Sequence, residues 1–284
     1  MMNSLELNKI SINDICEKIN NNQTFTFSKY SIELWMMVWK SFDGMKVDIE
    51  TISEDVLTSD EFIDALSEQM KIVWNTKQNL GRPWKFYSDT VKRIMHKAAS
   101  ENPENFMLGI SDLETMMNKK GIMFLKKFLP ANTKIYDSTC WKAAAYNGQI
   151  DQFMNNLQDK NVILIGPSHL ANLNKKVKLN NFNYIQIDDK EAALHTKQTA
   201  KEILHIHKTN RNKYTVYLIQ GGAAAIDLTT MLHDEIKNCC IIDIGRAIDV
   251  YYYYDPIRNK FPKWYWGGWL DLRPPTWLLE KTKV

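Results

Sequence analysis

Two spacings of apolar residues alternate along the second half of this chain. Residues 161–165 (NVILI), 183–187 (NYIQI), 214–219 (YTVYLI) and 239–244 (CCIIDI) are short runs rich in β-branched and aromatic side chains, each closed by glycine or a polar residue. Runs of this length and composition predict strands, most of them buried on both faces. Between them the apolar spacing lengthens to that of a helix, over residues 191–205 and again over 223–237, after the break at Gly221-Gly222. Strand, glycine turn, helix and strand make a βαβ unit with parallel strands, and residues 214–256 contain a complete one. Ligands of such units bind beyond the carboxyl ends of the strands. Both strand ends here set glycine beside polar residues, so the search for chemistry starts there.

The first half carries the same alternation less regularly. Residues 10–20 predict a helix capped by Ser11 or Asn13, and 24–30 (TFTFSKY) alternate as a strand. Residues 31–40 predict a helix holding Trp35 and Trp39, and 42–52 a loop or weakly extended stretch. Residues 59–76 form an amphipathic helix through Phe62, Ile63, Leu66, Met70 and Val73. After the loop at Gly81-Arg82-Pro83 come a helix over 88–100, a strand over 106–110 and a helical pattern over 112–128 interrupted near Gly121. A short strand over 134–137 and two short helices around Asn147-Gly148 complete the half. Strands alternating with helices predict an α/β fold with a mainly parallel sheet flanked by helices. With no repeat or low-complexity linker, the chain reads as a single domain over 1–284, divisible into 1–150, 151–256 and an aromatic C-terminal arm at 257–284.

Composition narrows the class without choosing a function. The 284 residues are 44% hydrophobic and 24% charged, with a formal net charge of +3. That charge permits an anionic partner without demanding one. Cys16, Cys140, Cys239 and Cys240 show no CxxC spacing, which points to reduced thiols rather than a zinc site or disulfide framework. The opening MMNSLELNK has no hydrophobic signal core, and no apolar run is long enough for a bilayer, so a cytoplasmic protein without membrane contact is expected.

Five stretches carry candidate chemistry. Gly166-Pro167-Ser168-His169 follows a strand and precedes a helix; Ser168 and the turn amides suit phosphate, and His169 suits a donor contact or a base, whereas a capped tight turn is the structural alternative. Gly221-Gly222 opens a helix whose N–H groups can receive phosphate, although the third glycine of GxGxxG is missing. Asp243-Ile244-Gly245-Arg246, with Asp249 beyond it, offers two carboxylates and a guanidinium fork; a structural Asp–Arg pair is the alternative. Asp112, at the end of GISD, is a candidate base and equally a helix cap. The Tyr251–Tyr254 run and the tail tryptophans, Trp264 and Trp266 among them, can stack on sugars or bases or pack on the sheet.

Taken in order, TFTFSKYSIELW, LGISD, VILIGPSHL and GGAAAIDL…IIDIGRAIDVYY resemble the GT-D-type glycosyltransferases, most closely over 161–254. The resemblance implies a Rossmann-like, GT-D-like fold and transfer of a sugar from a nucleotide sugar, with a uridine diphosphate sugar the expected donor. On that reading Glu33, Asp112 and Asp249 are the candidate catalytic residues, one of them supplying the base. Lys29, Gly166, Ser168, His169, Gly221, Gly222, Asp243, Gly245 and Arg246 face the donor, and Tyr251, Trp264 and Trp266 face the acceptor. The family binds a divalent metal through an Asp-x-Glu turn. Here the stretch is Tyr30-Ser31-Ile32-Glu33, which keeps only Glu33, so no metal ligands are assigned. Lys29, Arg246 and the glycine turns are left to offset the charge of the leaving diphosphate. The resemblance implies a saccharide acceptor of surface glycan synthesis in bacterial members, or a hydroxymethylated pyrimidine in DNA for a phage-encoded member acting in the host cytoplasm. The alternative outside enzymology is a nucleotide- or nucleic-acid-binding relative that has lost catalysis. The missing third glycine counts against a dehydrogenase or methyltransferase.

Overall fold

The computed structural model describes residues 7–30, 32–76, 86–100, 105–110, 119–188, 191–210 and 213–253. Eight strands form one sheet in the order β1-β4-β3-β2-β8-β7-β5-β6, and every pairing is parallel. They are β1 Leu7–Asn8, β2 Phe25–Tyr30, β3 Phe106–Ile110, β4 Ile135–Asp137, β5 Asn161–Gly166, β6 Asn181–Gln186, β7 Thr215–Ile219 and β8 Cys239–Asp243. The α/β, mainly parallel architecture read from the sequence is therefore the observed one. Its first half meets its second through β2, whose Phe25, Thr26 and Phe27 pair with Cys240, Ile241 and Ile242 of β8.

Side chains alternate across the pleat, so each central strand feeds two cores. Val162, Leu164, Val216, Leu218, Cys240 and Ile242 point to one face, against Trp141, Phe153 and the helix Ile12–Asn20. Ile163, Ile165, Tyr217, Ile219, Cys239 and Ile241 point to the other, against Leu228, Leu232 and Ile203. On that second face the first half adds an aromatic cluster in which Trp35, Phe42, Phe124 and Phe128 pack ring to ring. Buried aromatics of this size supply much of the hydrophobic stabilisation of a core.

Several elements depart from the sequence reading. Ser11 caps the first helix in a full capping box with Asp14, which settles the choice between Ser11 and Asn13. The helix from Ile32 runs on to Met45 through Gly44, where a loop was expected from residue 42, because Phe42 is drawn into the aromatic cluster. The strand expected at 183–187 begins two residues earlier, at Asn181, in register with Asn161 of β5. The helix expected over 191–205 is a 3-10 turn, Ala192–Leu194, followed by a helix Thr196–Thr209. Strand β1 gave no sequence signal; two residues are too short for a period. Of the helical pattern at 112–128, Lys119–Phe128 is helix and 111–118 lie outside the described residues.

Two connections decide where a ligand can sit. After β2 the chain turns into the helix Ile32–Met45, whose Leu34, Trp35 and Val38 enter the second-face core. After β8 it turns into the segment holding Ala247, Ile248 and Val250, which enter the first-face core. Neighbouring strands whose exits diverge to opposite faces leave a crevice at their carboxyl ends, the switch point of an open α/β sheet.

Candidate functional site

Parallel register carries the predicted residues to one edge. Lys29 sits opposite Gly109 near the end of β2, and Asp243 ends β8 opposite Ile219 of β7, which is opposite Ile165 of β5. Gln220, Gly221 and Gly222 follow β7, Gly166 ends β5, and Gly245 and Arg246 follow β8.

At the β2–β8 crevice the Asp243 carboxyl is 3% exposed and its Oδ1 accepts the Gly245 N–H at 3.0 Å. Burial pushes this carboxyl up to about 7, against the opposing pull of the Lys29 ammonium and two backbone N–H groups. Gly245 has φ +56°, and a Cβ placed there would lie 3.2 Å from Lys29 Nζ. Side chains disfavour that backbone conformation, which glycine adopts freely. The glycine thus lets the β8 turn close over the lysine tip. Lys142 is exposed, as a helix lysine should be, yet partial desolvation and the Lys29 charge push its ammonium down. Cationic groups therefore gather where β2 and β8 end.

A second cluster lies beside it, over the ends of β5, β7 and β8. Asp249, 1% exposed, is gripped on both oxygens. His169 Nε2 is 2.9 Å and Gln220 Nε2 2.6 Å from Oδ1, and Arg246 Nε is 2.9 Å from Oδ2. A carboxylate oxygen only accepts, so the His169 ring donates from Nε2. The edge of that ring packs against Tyr252, centroids 5.6 Å apart, and Lys176 Nζ stands 5.9 Å from the Tyr252 ring. The Tyr184 hydroxyl, 2.8 Å from both the Gly166 and Pro167 carbonyl oxygens, fixes the turn that carries His169. Gln220 Oε1 and the Tyr252 hydroxyl are buried without a hydrogen-bond partner among the described residues.

The other candidates divide. The Gly221-Gly222 turn does open the helix Ala223–Glu235, with Gly222 at φ +55°. Two of that turn's amides are spent, however, since Ala224 N–H and Ala225 N–H donate to the carbonyls of Gly221 and Gly222 at 3.1 Å. Ala223, Ala224 and Ala225 are buried against the sheet. Ser168 begins a 3-10 helix, Ser168–Lys175, and makes no side-chain cap bond there; the cap position is Pro167. Tyr251 donates its hydroxyl to Asp151 at 3.1 Å, on the first face. Glu33 lies in the first turn of the helix Ile32–Met45, and its side chain lies outside the described residues, as do Asp112, Trp264 and Trp266. Among the described residues no group of three or more His, Cys, Asp and Glu could hold a metal ion. Nor is any described helix long and apolar enough to cross a membrane.

Sequence reasoning missed Gln220, whose one signal was its place between a buried strand and a double glycine. It also missed Asp227, fully buried in the helix Ala223–Glu235. Asp227 takes Arg93 Nε at 3.1 Å and Nη2 at 2.9 Å, and a short bond from the Thr196 hydroxyl.

The α/β architecture is shared with solved structures of other proteins. It is similar to a solved structure described as "the highly conserved domain of unknown function 1792", with "a distinct glycosyltransferase fold", at 13% identity and a TM-score of 0.50, covering 88% of this chain and 82% of that one. A second solved structure, described as a new glycosyltransferase of the same domain from Streptococcus sanguinis, matches at 13% identity and a TM-score of 0.50, covering 88% of this chain and 85% of that one. No family model and no curated protein matches the chain.

Proposed function

We propose that this chain is a glycosyltransferase that moves a sugar from a nucleotide sugar, a uridine diphosphate sugar being the expected donor, to an acceptor hydroxyl. One observation carries the reading: in a glycosyltransferase fold, Lys29, Asp243 and Gly245 meet at the crevice where β2 and β8 diverge, with Arg246 next in the chain. Sugar transfer builds oxocarbenium character on the sugar and negative charge on the departing diphosphate. On this reading the Lys29 ammonium offsets that charge, with Arg246 following Gly245 in the chain, and a crevice edged by buried strands strengthens the offset. Asp243, largely buried, shapes the turn through Gly245. Glu33, in the first turn of the helix that follows β2, stays a candidate for the acid that the resemblance implies.

The acceptor reading has two branches, a saccharide and a hydroxymethylated pyrimidine in DNA. Release of uridine diphosphate from a panel of nucleotide sugars, with intact-mass analysis of saccharide and hydroxymethyl-DNA acceptors, separates them. Lys29→Met should raise KM for the donor about tenfold or more, the scale of a lost charge-assisted contact. Glu33→Ala should cut turnover. Donor binding with no turnover of any donor or acceptor would sink the enzymatic reading and favour a binding protein; full activity of Lys29→Met would remove the crevice from the site.

A further inference from the structure

We propose that the cluster over β5 and β7 is the acceptor side of the transfer, with His169 as the catalytic base and Asp249 as its positioning residue. The assignment rests on the transferase reading and deepens it. It replaces Asp249 as the base. Asp249 is 1% exposed and both its oxygens are engaged, whereas the His169 side chain keeps 27% exposure. Three donors from three elements hold that carboxylate: the turn after β5, the end of β7 and the turn after β8. The carboxylate in turn fixes the imidazole tautomer, with the proton on Nε2 and the lone pair on Nδ1. A buried acid that orients an imidazole in this way is how a histidine base is held for proton transfer.

Two further groups point to a hydroxyl-bearing ligand. Gln220 is 6% exposed, and its amide nitrogen is committed to Asp249, which leaves Oε1 as an acceptor without a partner among the described residues. The Tyr252 hydroxyl, on the ring that packs against His169, is in the same condition. A buried polar group in this state is costly until a ligand or water bonds it. An acceptor carrying several hydroxyls can serve these groups and present one hydroxyl to His169.

The step balances as follows in atoms and charge. The acceptor O–H gives its proton to His169 Nδ1 while its oxygen forms a bond to the anomeric carbon. The bond from that carbon to the diphosphate oxygen breaks, and its electron pair leaves on the diphosphate. The imidazolium is balanced by Asp249, and the diphosphate by Lys29 at the neighbouring crevice. A single displacement of this kind inverts the anomeric centre. Among the described residues, the charged and titratable groups about His169 include Asp249, Arg246 across it, Tyr252 at its ring edge and Lys176 over the Tyr252 ring.

The test compares wild type with His169→Gln, His169→Ala and Asp249→Asn. Release of uridine diphosphate from UDP-glucose, UDP-galactose and UDP-N-acetylglucosamine is followed across pH, with a soluble glucoside and hydroxymethylcytosine DNA as acceptors. Donor binding is followed by calorimetry and folding by thermal melts. His169→Gln should lose about 10²–10⁴-fold in kcat/KM, the scale of a general base, with donor affinity unchanged and the acid limb of the pH profile gone. Added imidazole should restore part of the His169→Ala activity, which a merely structural loss would not allow. Asp249→Asn should lose less and shift the acid limb. Full activity in His169→Gln, or an unaltered pH profile in both His169 variants, overturns the assignment while the transferase reading stands. Wild-type protein that neither binds nor cleaves any of the three donors overturns both.

Discussion

Among the described residues two buried aspartates are paired with arginine, Asp227 within a helix and Asp249 beside the carboxyl ends of parallel strands. Asp227 is fully buried in the helix Ala223–Glu235, where Arg93 grips it with two nitrogens and Thr196 adds its hydroxyl. Asp89 links Arg93 onward to Lys197, so this network ties the helices Ser88–Ala99, Thr196–Thr209 and Ala223–Glu235 together. Asp249 is as deeply buried and also holds an arginine, but its partners include a histidine, and the turns that supply them end parallel strands. The same pair of residue types thus serves cohesion in one place and is proposed to serve proton transfer in the other. A buried ion pair alone indicates neither; its position against the strand ends and the presence of a titratable third partner decide.

The largest effect expected from breaking the comparison falls on the cohesive pair. Asp227→Ala leaves Arg93 partly buried without its carboxylate. Breaking a buried pair in this way costs about 3–5 kcal/mol. Chemical denaturation should show that loss as a fall in midpoint at unchanged slope. The Asp249→Asn variant, which keeps volume and hydrogen-bonding capacity, should lose far less stability than activity. Equal stability losses in the two variants would erase the distinction between them.

A third buried aspartate sharpens the contrast, because no arginine among the described residues pairs with it. Asp243 meets the Lys29 ammonium and backbone N–H groups, and burial lifts its carboxyl from the ordinary 3.8 to about 7. Between those pH values the folded chain holds a proton that the unfolded chain has released. Stability from this group is therefore complete below about 3.8 and is lost as pH rises through about 7. Asp243→Asn keeps the carbonyl that accepts the Gly245 N–H and removes the charge. It should match wild type in thermal melts at low pH and exceed it above neutrality, by on the order of a few kcal/mol. A stability difference independent of pH would show that Asp243 is not held up by burial.

Much of this was legible in the chain itself. The runs NVILI, YTVYLI and CCIIDI announced buried parallel strands, and the glycine and polar residues after them marked the edge where the site lies. What stayed hidden depended on contacts between segments distant in sequence. Arg93 and Asp227 are 134 residues apart, and nothing local in either helix announces the other. Gln220 gained its meaning only from Asp249, whose carboxylate also meets His169, 80 residues away in the chain. The helix-start amides at Gly221-Gly222 looked available from the pattern, but the tightness of the turn consumes two of them. Periodicity reports which face a residue takes; it does not report who is waiting there.

The smallest predicted effect tests the crevice beside the aspartate pair. Gly245 has φ +56°. A residue with a side chain pays about 1–2 kcal/mol to adopt that left-handed conformation. An added Cβ would also stand 3.2 Å from Lys29 Nζ, tighter than an ordinary contact, and in normal contact with its Cδ at 3.6 Å. Because the obstructed atoms are the far end of a flexible side chain, the lysine can swing aside, so Gly245→Ala should fold with a modest loss of stability. The displaced ammonium should then raise KM for the nucleotide sugar while kcat changes less. Gly245→Asn separates the two contributions: asparagine tolerates this backbone conformation better, yet its Cβ meets the same lysine. If Gly245→Asn recovers stability but keeps the raised KM, the defect lies in where Lys29 is held. If both variants bind donor as wild type does, the lysine tip under Gly245 takes no part in holding the diphosphate.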